Sequence, residues 1–297
     1  MIRVKLFGPT SVEVDGQWLA PGALRGRPRQ ILEILAVGAG APVAKDRLAD
    51  LVWDGEPPAS HHGTLESYVC NLRHCLGVRS GRGSVLATSA GGYQLAGPSV
   101  SVDLTEARAH LDAATGHADV AVDRALDAVR LTTGDLLESE PYAAWAERTR
   151  EVFAREAVAT YVRAAGLANA TRRFGDATRL AVEAVRLDRL CELAWQQLIR
   201  SYWLAGRHGE ALRAYADLRQ VVLDELGDEP GPETRELYFA VLRDSSDERD
   251  RRRLAGPELE TLLVLLRQSL ASTPGAVLPA LDSALSAAAV RVIALQP

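Results

Sequence analysis

The sequence predicts a mainly α protein with a small α+β domain at its N-terminus. Three observations support this prediction. Short β-like runs and three helical patterns share the first part of the chain, residues 102–243 show helical periodicity alone, and a 34-residue repeat lies within that second stretch. A chain of 297 residues has room for about two domains, at roughly 100–200 residues each. We expect one domain over residues 1–98 and an all-α domain over residues 99–244.

The N-terminal domain has the pattern of a sheet, three helices and a hairpin. The Asp15-Gly16 pair between two β-rich runs is a strong signal for a hairpin turn. Gly and Pro residues end each of the helical patterns. The predicted strands are 3–7, 11–14, 17–20, 85–88 and 93–95, and the predicted helices are 29–37, 45–53 and 60–76. This order is that of a winged helix-turn-helix.

The third helix of this domain is the candidate recognition helix. Its leucines and Val69 fall on one side at helical spacing, which leaves a polar face directed outward. In a winged helix that face enters the DNA major groove, where an amide reads adenine and a guanidinium reads guanine or grips phosphate. The candidate base contacts are Thr64, Ser67, Asn71, Arg73 and His74. The alternative is the solvated polar face of an ordinary surface helix.

Basic residues cluster around the starts of the first two helices, where free backbone N–H groups and the helix dipole also favour phosphate. Such contacts position a duplex without reading its sequence. The candidate phosphate contacts are Arg25, Arg27, Arg29, Lys45 and Arg47. Ordinary solvated cations are the alternative. A turn of small residues between the last two strands forms the predicted wing, which comprises Ser89, Gly91, Gly92 and Tyr93.

Two copies of a 34-residue unit lie in the all-α stretch. Tyr161 aligns with Trp195, and Arg173 aligns with Arg207. This period, with aromatic residues early in one helix and small residues in the next, is typical of tetratricopeptide repeats. The sequence therefore predicts a tetratricopeptide-like helical domain. Coincidental amphipathic helices are the alternative.

Charge is divided unevenly along the chain. The formal net charge is −5, but residues 1–98 carry 10 Lys+Arg against 8 Asp+Glu, a net of +2, and the remainder carries −7. Because net charge governs nonspecific association, we expect residues 1–98 to bind nucleic acid and residues 99–297 to bind protein partners.

Several kinds of protein and site are disfavoured by the sequence. Three cysteines without zinc-ligand spacing predict neither a disulfide framework nor a metal centre, and they fit a reducing compartment. His61 and His62 are adjacent, but a metal site would need a third ligand from elsewhere in the chain. We find no secretory signal, no apolar run of about 18 residues and no catalytic or nucleotide-binding motif. We expect a cytoplasmic, nucleoid-associated protein that is no enzyme, uses no cofactor and does not bind membranes.

The last part of the sequence predicts a charged linker, SSDERDRRR, at residues 245–253. The extension that follows, residues 254–297, contains helical patterns at 257–270 and 279–295. Their apolar faces need a surface to pack on, either the helical domain or a second protomer. The sequence assigns no role to this extension.

Several stretches resemble the Streptomyces antibiotic regulatory protein (SARP) family, over residues 1 to about 243. In the first domain these are VKLFGPTSVEVDG, TLESYVCNLRHCLG and the wing LATSAGGYQL. In the second they are GDLLESEPYAAWAERTRE and GRHGEALRAYADLRQVVLDELGDEPGPETRELY. The last string is typical of the family's bacterial transcriptional activation domain. One departure is Ser89, because wings of the broader OmpR-type class often carry an arginine near this turn.

The resemblance implies an OmpR-type winged helix that binds direct repeats of promoter DNA and a helical domain that supports activation. It also implies recruitment of RNA polymerase holoenzyme to the genes of a secondary-metabolite, or antibiotic, cluster. Direct repeats bound head to tail imply two protomers on the DNA, and the oligomeric state in solution stays open. Two alternatives remain: a tetratricopeptide-type adaptor whose N-terminal domain serves protein contacts alone, and a regulator whose helical domain senses a small molecule.

Overall fold

The structure, a computed structural model, describes residues 1–79, 84–89 and 91–246. Outside the described residues lie the predicted helices 257–270 and 279–295, residues 247–253 of the predicted linker, and Ala90 in the wing turn. Residues Met1–Val241 form one compact unit, and its buried apolar side chains make a continuous core. The predicted fold class is confirmed: a winged helix-turn-helix precedes a tetratricopeptide-like helical region.

The elements of the chain follow the predicted order. The strands are β1 (Ile2–Lys5), β2 (Ser11–Val14), β3 (Gln17–Trp18), β4 (Val43–Ala44), β5 (Leu86–Ser89), β6 (Gly92–Leu95) and β7 (Val100–Val102). The helices are α1 (Gly26–Val37), α2 (Lys45–Val52), α3 (His61–Cys75), α4 (Asp103–Ala113), α5 (Ala118–Leu131), α6 (Ala144–Ala170), α7 (Phe174–Leu187), α8 (Glu192–Leu204) and α9 (His208–Leu226). A further helix, α10, occupies residues 232–246.

Two sheets frame the three helices of the N-terminal region, with strand orders β3-β2-β1-β7 and β4-β6-β5. The sequence does not predict β4 and β7. Both strands have only two or three residues, too few to show a period-2 pattern, and each depends on a distant partner. Val43 pairs with Tyr93 in the second sheet, and Val100 pairs with Ile2 in the parallel ladder of the first sheet.

Asp103, the first residue of α4, joins the N-terminal sheet to the helical region. Its carboxylate accepts backbone N–H groups from Leu6 at 2.9 Å, Phe7 at 3.1 Å and Leu104 at 2.8 Å. Burial raises the pKa of this carboxyl, although the backbone hydrogen bonds lower it. The N-terminal fold is therefore completed by β7 and Asp103, which lie beyond the proposed boundary at residue 98.

The helical region is built from antiparallel helix pairs whose turns repeat in detail. The Arg173 backbone N–H donates to Ala168 over 2.8 Å, and 34 residues later the Arg207 N–H donates to Tyr202 over the same distance. Each arginine also forms an ion pair with an acidic residue three positions on. The aligned aromatic Tyr161 lies fully buried. The repeat seen in the sequence thus corresponds to a repeat of backbone geometry.

The later part of the chain departs from the sequence prediction in two places. The helical pattern predicted over residues 102–243 is interrupted between the end of α5 at Leu131 and the start of α6 at Ala144. Leu136 and Leu137 within this segment are buried against the N-terminal sheet, where Leu137 N–H donates to the Leu6 carbonyl over 2.7 Å. Residues 245 and 246, predicted as linker, continue α10. Among the described residues, no helix combines the length and the apolar character needed to cross a bilayer.

Candidate nucleic-acid interface

Helix α3 presents the polar face that its periodicity predicts. Leu65, Val69 and Leu72 are fully buried, which turns the other side of the helix toward solvent. Asn71 and His74 are exposed on that side. A protruding helix with an exposed amide and imidazole has donors and acceptors available for base edges.

Two hydroxyl groups on the same face have fixed orientations. Thr64 Oγ1 donates to the Ser60 carbonyl over 3.1 Å, and Ser67 Oγ donates to the Gly63 carbonyl over 3.0 Å. Each hydroxyl has used its only donor within the helix. Thr64 is partly exposed and Ser67 is exposed, so both oxygens offer acceptor lone pairs.

Arg73 connects α3 to the wing hairpin instead of pointing into solvent. Its Nε and Nη2 lie 3.2 and 3.0 Å from the Leu86 carbonyl oxygen, and Nη2 lies 2.9 Å from Thr88 Oγ1. These contacts fix the angle between the helix and β5. A base contact by Arg73 would require the guanidinium to leave them.

Lys45 connects α2, α3 and the second sheet. Its Nζ lies 2.7 Å from Glu66 Oε1 and 5.7 Å from the centre of the Tyr93 ring. The hydrogen bond to Glu66 raises the pKa of Lys45, and the same bond lowers the pKa of Glu66. Both groups are therefore charged and paired. A phosphate that binds Lys45 would therefore compete with Glu66 for the ammonium group.

The four predicted wing residues divide into two pairs. Gly92 and Tyr93 are buried, and a side chain at Gly92 would collide with the Val43 carbonyl of β4. Gly92 therefore permits the close approach of two strands, and Tyr93 packs inside. Ser89 at the end of β5 is partly exposed, and Gly91 is exposed with φ +83°. Only this second pair faces the outside at the wing turn.

The five predicted phosphate contacts are not equivalent. Arg25 and Arg47 are exposed and make no polar contact within the part of the chain that the structure describes. Arg27 instead donates to Gln30 over 2.8 Å and to the Val52 carbonyl, which ties α1 to the end of α2. Of the five predicted contacts, Arg25 and Arg47 are therefore the two whose side chains are unengaged within the described residues.

Arg29 lies in a polar cluster between α1 and the segment before α6. Its Nη2 donates to the Ser139 carbonyl over 2.9 Å and to Glu140 over 2.8 Å. Its Nε lies 3.3 Å from Glu33 Oε1. These contacts engage the guanidinium inside the molecule, so we exclude Arg29 from the proposed DNA interface.

Glu33 is a buried carboxyl that the sequence analysis did not single out. Its pKa is raised to about 7, chiefly by burial; Thr10 and Arg29 lower this pKa, and Glu140 raises it. The signal for it was present, since Glu33 is the only charged residue in the apolar run ILEILAV. A lone carboxyl in a buried helix face needs a nearby polar group, and Arg29 Nε lies 3.3 Å from Glu33 Oε1 without a hydrogen bond between them.

Comparison with known proteins connects this geometry to a family. Residues 20–95 match the model of the transcriptional regulatory protein, C-terminal domain, and residues 101–242 match the bacterial transcriptional activator domain. Regulatory protein DnrI of Streptomyces peucetius is 28% identical over 256 residues, which cover 82% of this chain and 92% of DnrI. The chain belongs to the SARP family of transcriptional regulators.

Mycobacterial relatives of this SARP-family regulator are longer. The transcriptional regulatory protein EmbR of Mycobacterium tuberculosis is 32% identical over 254 residues, which are 80% of this chain and 62% of EmbR. A solved structure of M. tuberculosis EmbR in complex with a low-affinity phosphopeptide matches with a TM-score of 0.63 and 28% identity, over 82% of this chain and 65% of that chain. The chain thus spans about three-fifths of the length of EmbR, and the phosphopeptide belongs to EmbR.

Proposed function

We propose that this SARP-family regulator is a sequence-specific transcriptional activator that binds promoter DNA with α3 in the major groove. The observation that carries the proposal is the exposed polar face of α3, which Arg73 and Lys45 hold at a fixed angle to the wing and to α2. A recognition surface must be rigid before binding, because ordering it on the DNA would reduce affinity.

Separate residues serve base reading and phosphate binding in this proposal. Asn71 and His74, with the acceptor oxygens of Thr64 and Ser67, contact base edges. Arg25 and Arg47 grip the backbone and set the register. Lys45 joins them after exchanging Glu66 for phosphate. The wing contributes little charge, because Ser89 and Gly91 carry none.

The remaining parts of the proposal concern partners and location. Two protomers occupy direct repeats head to tail, and the helical region recruits RNA polymerase holoenzyme to the genes of a secondary-metabolite, or antibiotic, cluster. The regulator works in the cytoplasm, at the nucleoid. We also propose the division into a DNA-binding domain (1–98, completed by β7 and Asp103), an activation domain (99–244, with α10 continuing to residue 246), a linker that ends at residue 253 and a C-terminal extension (254–297).

The test starts by sequencing genomic fragments bound by the full chain and measuring affinity for the recovered direct repeats. The full chain is needed because a fragment ending at residue 98 would lose β7 and Asp103. Binding should weaken steeply as salt rises. Replacing Asn71 by alanine should cost about 1–3 kcal/mol on specific sites, the usual value of a good base contact.

The matched control for this test is Gln220→Ala, an exposed amide on α9, which should leave the affinity unchanged. If Asn71→Ala binds the same sites as tightly and with the same preference as the wild type, α3 does not read the DNA and the proposal is wrong. The experiment needs no knowledge of the target genes beforehand.

A second candidate, the protein-interaction adaptor, is favoured by the helix pairs themselves. Tetratricopeptide-like pairs form protein-binding surfaces, and Leu193 and Leu223 are exposed large apolar residues on α8 and α9. An adaptor predicts no salt-dependent DNA binding by the full chain. The affinity measurement above therefore separates the two functions.

A further inference from the structure

Three potential metal ligands meet where the N-termini of α2 and α3 approach each other. His62 Nε2 lies 3.5 Å from Asp46 Oδ1, and His61 Nε2 lies 3.9 Å from the same oxygen. All three ligand atoms lie within 4.8 Å of one another. The sequence alone shows no third ligand for the two histidines, and the packing of α2 against α3 supplies it.

The hydrogen bonding of His61 prepares its Nε2 for a metal. His61 Nδ1 lies 2.8 Å from the Pro58 carbonyl oxygen. Since a carbonyl only accepts, Nδ1 carries the hydrogen, and in the neutral ring Nε2 is left with a free lone pair. Nε2 is the atom that faces Asp46. A ring N–H donated to a backbone carbonyl is the arrangement that orients metal-binding histidines.

The distances from the two imidazole nitrogens to Asp46 are close to those within a coordination sphere. Zinc binds imidazole nitrogen at about 2.0–2.1 Å and carboxylate oxygen at about 2.0–2.2 Å in tetrahedral geometry, so neighbouring ligand atoms lie roughly 3.3–3.5 Å apart. The His62–Asp46 distance already has this value, and the His61–Asp46 distance is a few tenths of an ångström longer. Asp46 and His62 are exposed, so small rotations of their side chains can close the sphere.

We propose that Asp46, His61 and His62 form a binding site for a divalent first-row transition-metal ion, with Zn²⁺ as the representative ion. Two imidazoles and one carboxylate suit zinc and its neighbours, whereas magnesium and calcium prefer an all-oxygen shell. Three protein ligands leave one position for water or for an exogenous oxygen. The site goes beyond the proposed function, because the ion binds without DNA.

The test is a titration of untagged, metal-free full chain with Zn²⁺ in competition with a chromophoric chelator. An affinity tag of histidines must be absent. Asp46→Ala and His62→Gln should each weaken Zn²⁺ binding by more than about tenfold. Removing an outer-shell partner of a metal ligand already lowers metal affinity by about tenfold or more, so removing a direct ligand should lower it further. His117→Gln, an exposed histidine on the helical region, is the matched control and should bind as the wild type does.

A competing ligand pair on the same helix is Cys70 and His74, four residues apart on α3. A Cys70→Ser variant that binds Zn²⁺ normally, together with a zinc absorption spectrum showing imidazole and oxygen but no sulfur, supports the proposed site. Metal-free unfolding curves that match the wild type show that the variants are folded. Wild-type chain that fails to compete for Zn²⁺, or Asp46→Ala and His62→Gln variants that compete as well as the wild type, overturns the proposal.

Discussion

The winged region and the helical repeat position their arginines in different ways. Arg173 and Arg207 are 34 residues apart and share one backbone hydrogen bond and one ion pair with the acidic residue three positions on, and Arg173 also pairs with Asp119 and Asp123 of α5. Arg25, Arg27 and Arg29 alternate along a few residues of the winged region, yet the first is exposed, the second spans two helices and the third lies in an internal cluster. Within a repeat, sequence position determines the contacts. In the winged region, contacts from distant segments determine them.

The largest effect expected from this difference concerns Asp103, which the helical region supplies to the winged region. In Asp103→Ala the backbone N–H groups of Leu6, Phe7 and Leu104 lose their acceptor. Each buried N–H left without a partner costs about 1–3 kcal/mol, so we expect the free energy of unfolding to fall by about 3 kcal/mol or more. Urea unfolding followed by circular dichroism measures this loss.

Amide hydrogen exchange shows which region of the Asp103→Ala variant loses stability. Amides of β1 should lose more protection than amides of α7, because the lost acceptor serves the sheet. Asp112→Ala, an exposed carboxylate on the same helix α4, should change stability by no more than about 0.5 kcal/mol. Equal loss of protection in β1 and α7 would mean that the two regions unfold as one unit. The winged region and the helical region would then not differ in their dependence on Asp103.

A smaller effect, which depends on pH, is expected at Glu33 in the polar cluster between α1 and the segment before α6. The pKa of Glu33 is raised from 4.5 to about 7 by burial, so the folded protein holds this proton more tightly than the unfolded chain does. The contribution of Glu33 to the free energy of unfolding is stabilising at low pH and is lost as pH rises through about 5 to 8. Glu33→Gln stays neutral and should be about 1–3 kcal/mol more stable than wild type at pH 8, with little gain at pH 5.

Unfolding curves at several pH values test this prediction. Glu151→Gln removes an exposed carboxylate on α6 and should follow the wild-type pH dependence. If the free energies of unfolding of Glu33→Gln and the wild type differ by the same amount from pH 5 to pH 8, Glu33 is ionised throughout this range. Arg29 then compensates its charge fully.

The sequence predicted the parts of the fold that local pattern controls. The three helices of the winged region were placed within a few residues of their observed bounds, because apolar periodicity and Gly or Pro stops are local signals. The outward face of α3 followed from the same periodicity. The short strand β7 and the internal roles of Arg29 and Arg73 were not predictable, because each depends on a partner that is distant in sequence. Arginines that anchor and arginines that bind phosphate look alike in a sequence.

The smallest effect separates those two kinds of arginine directly. Arg47 is exposed and makes no polar contact within the described residues, so a phosphate contact would be its main interaction. In Arg47→Ala the slope of log affinity against log salt should become shallower by about 0.9, the contribution of one phosphate contact, while stability stays unchanged. Arg148→Ala, an exposed arginine on α6, is the control from the helical region. If both variants reduce the slope equally, the duplex contacts both regions. Exposed cations of the helical region then bind phosphate as those of the winged region do.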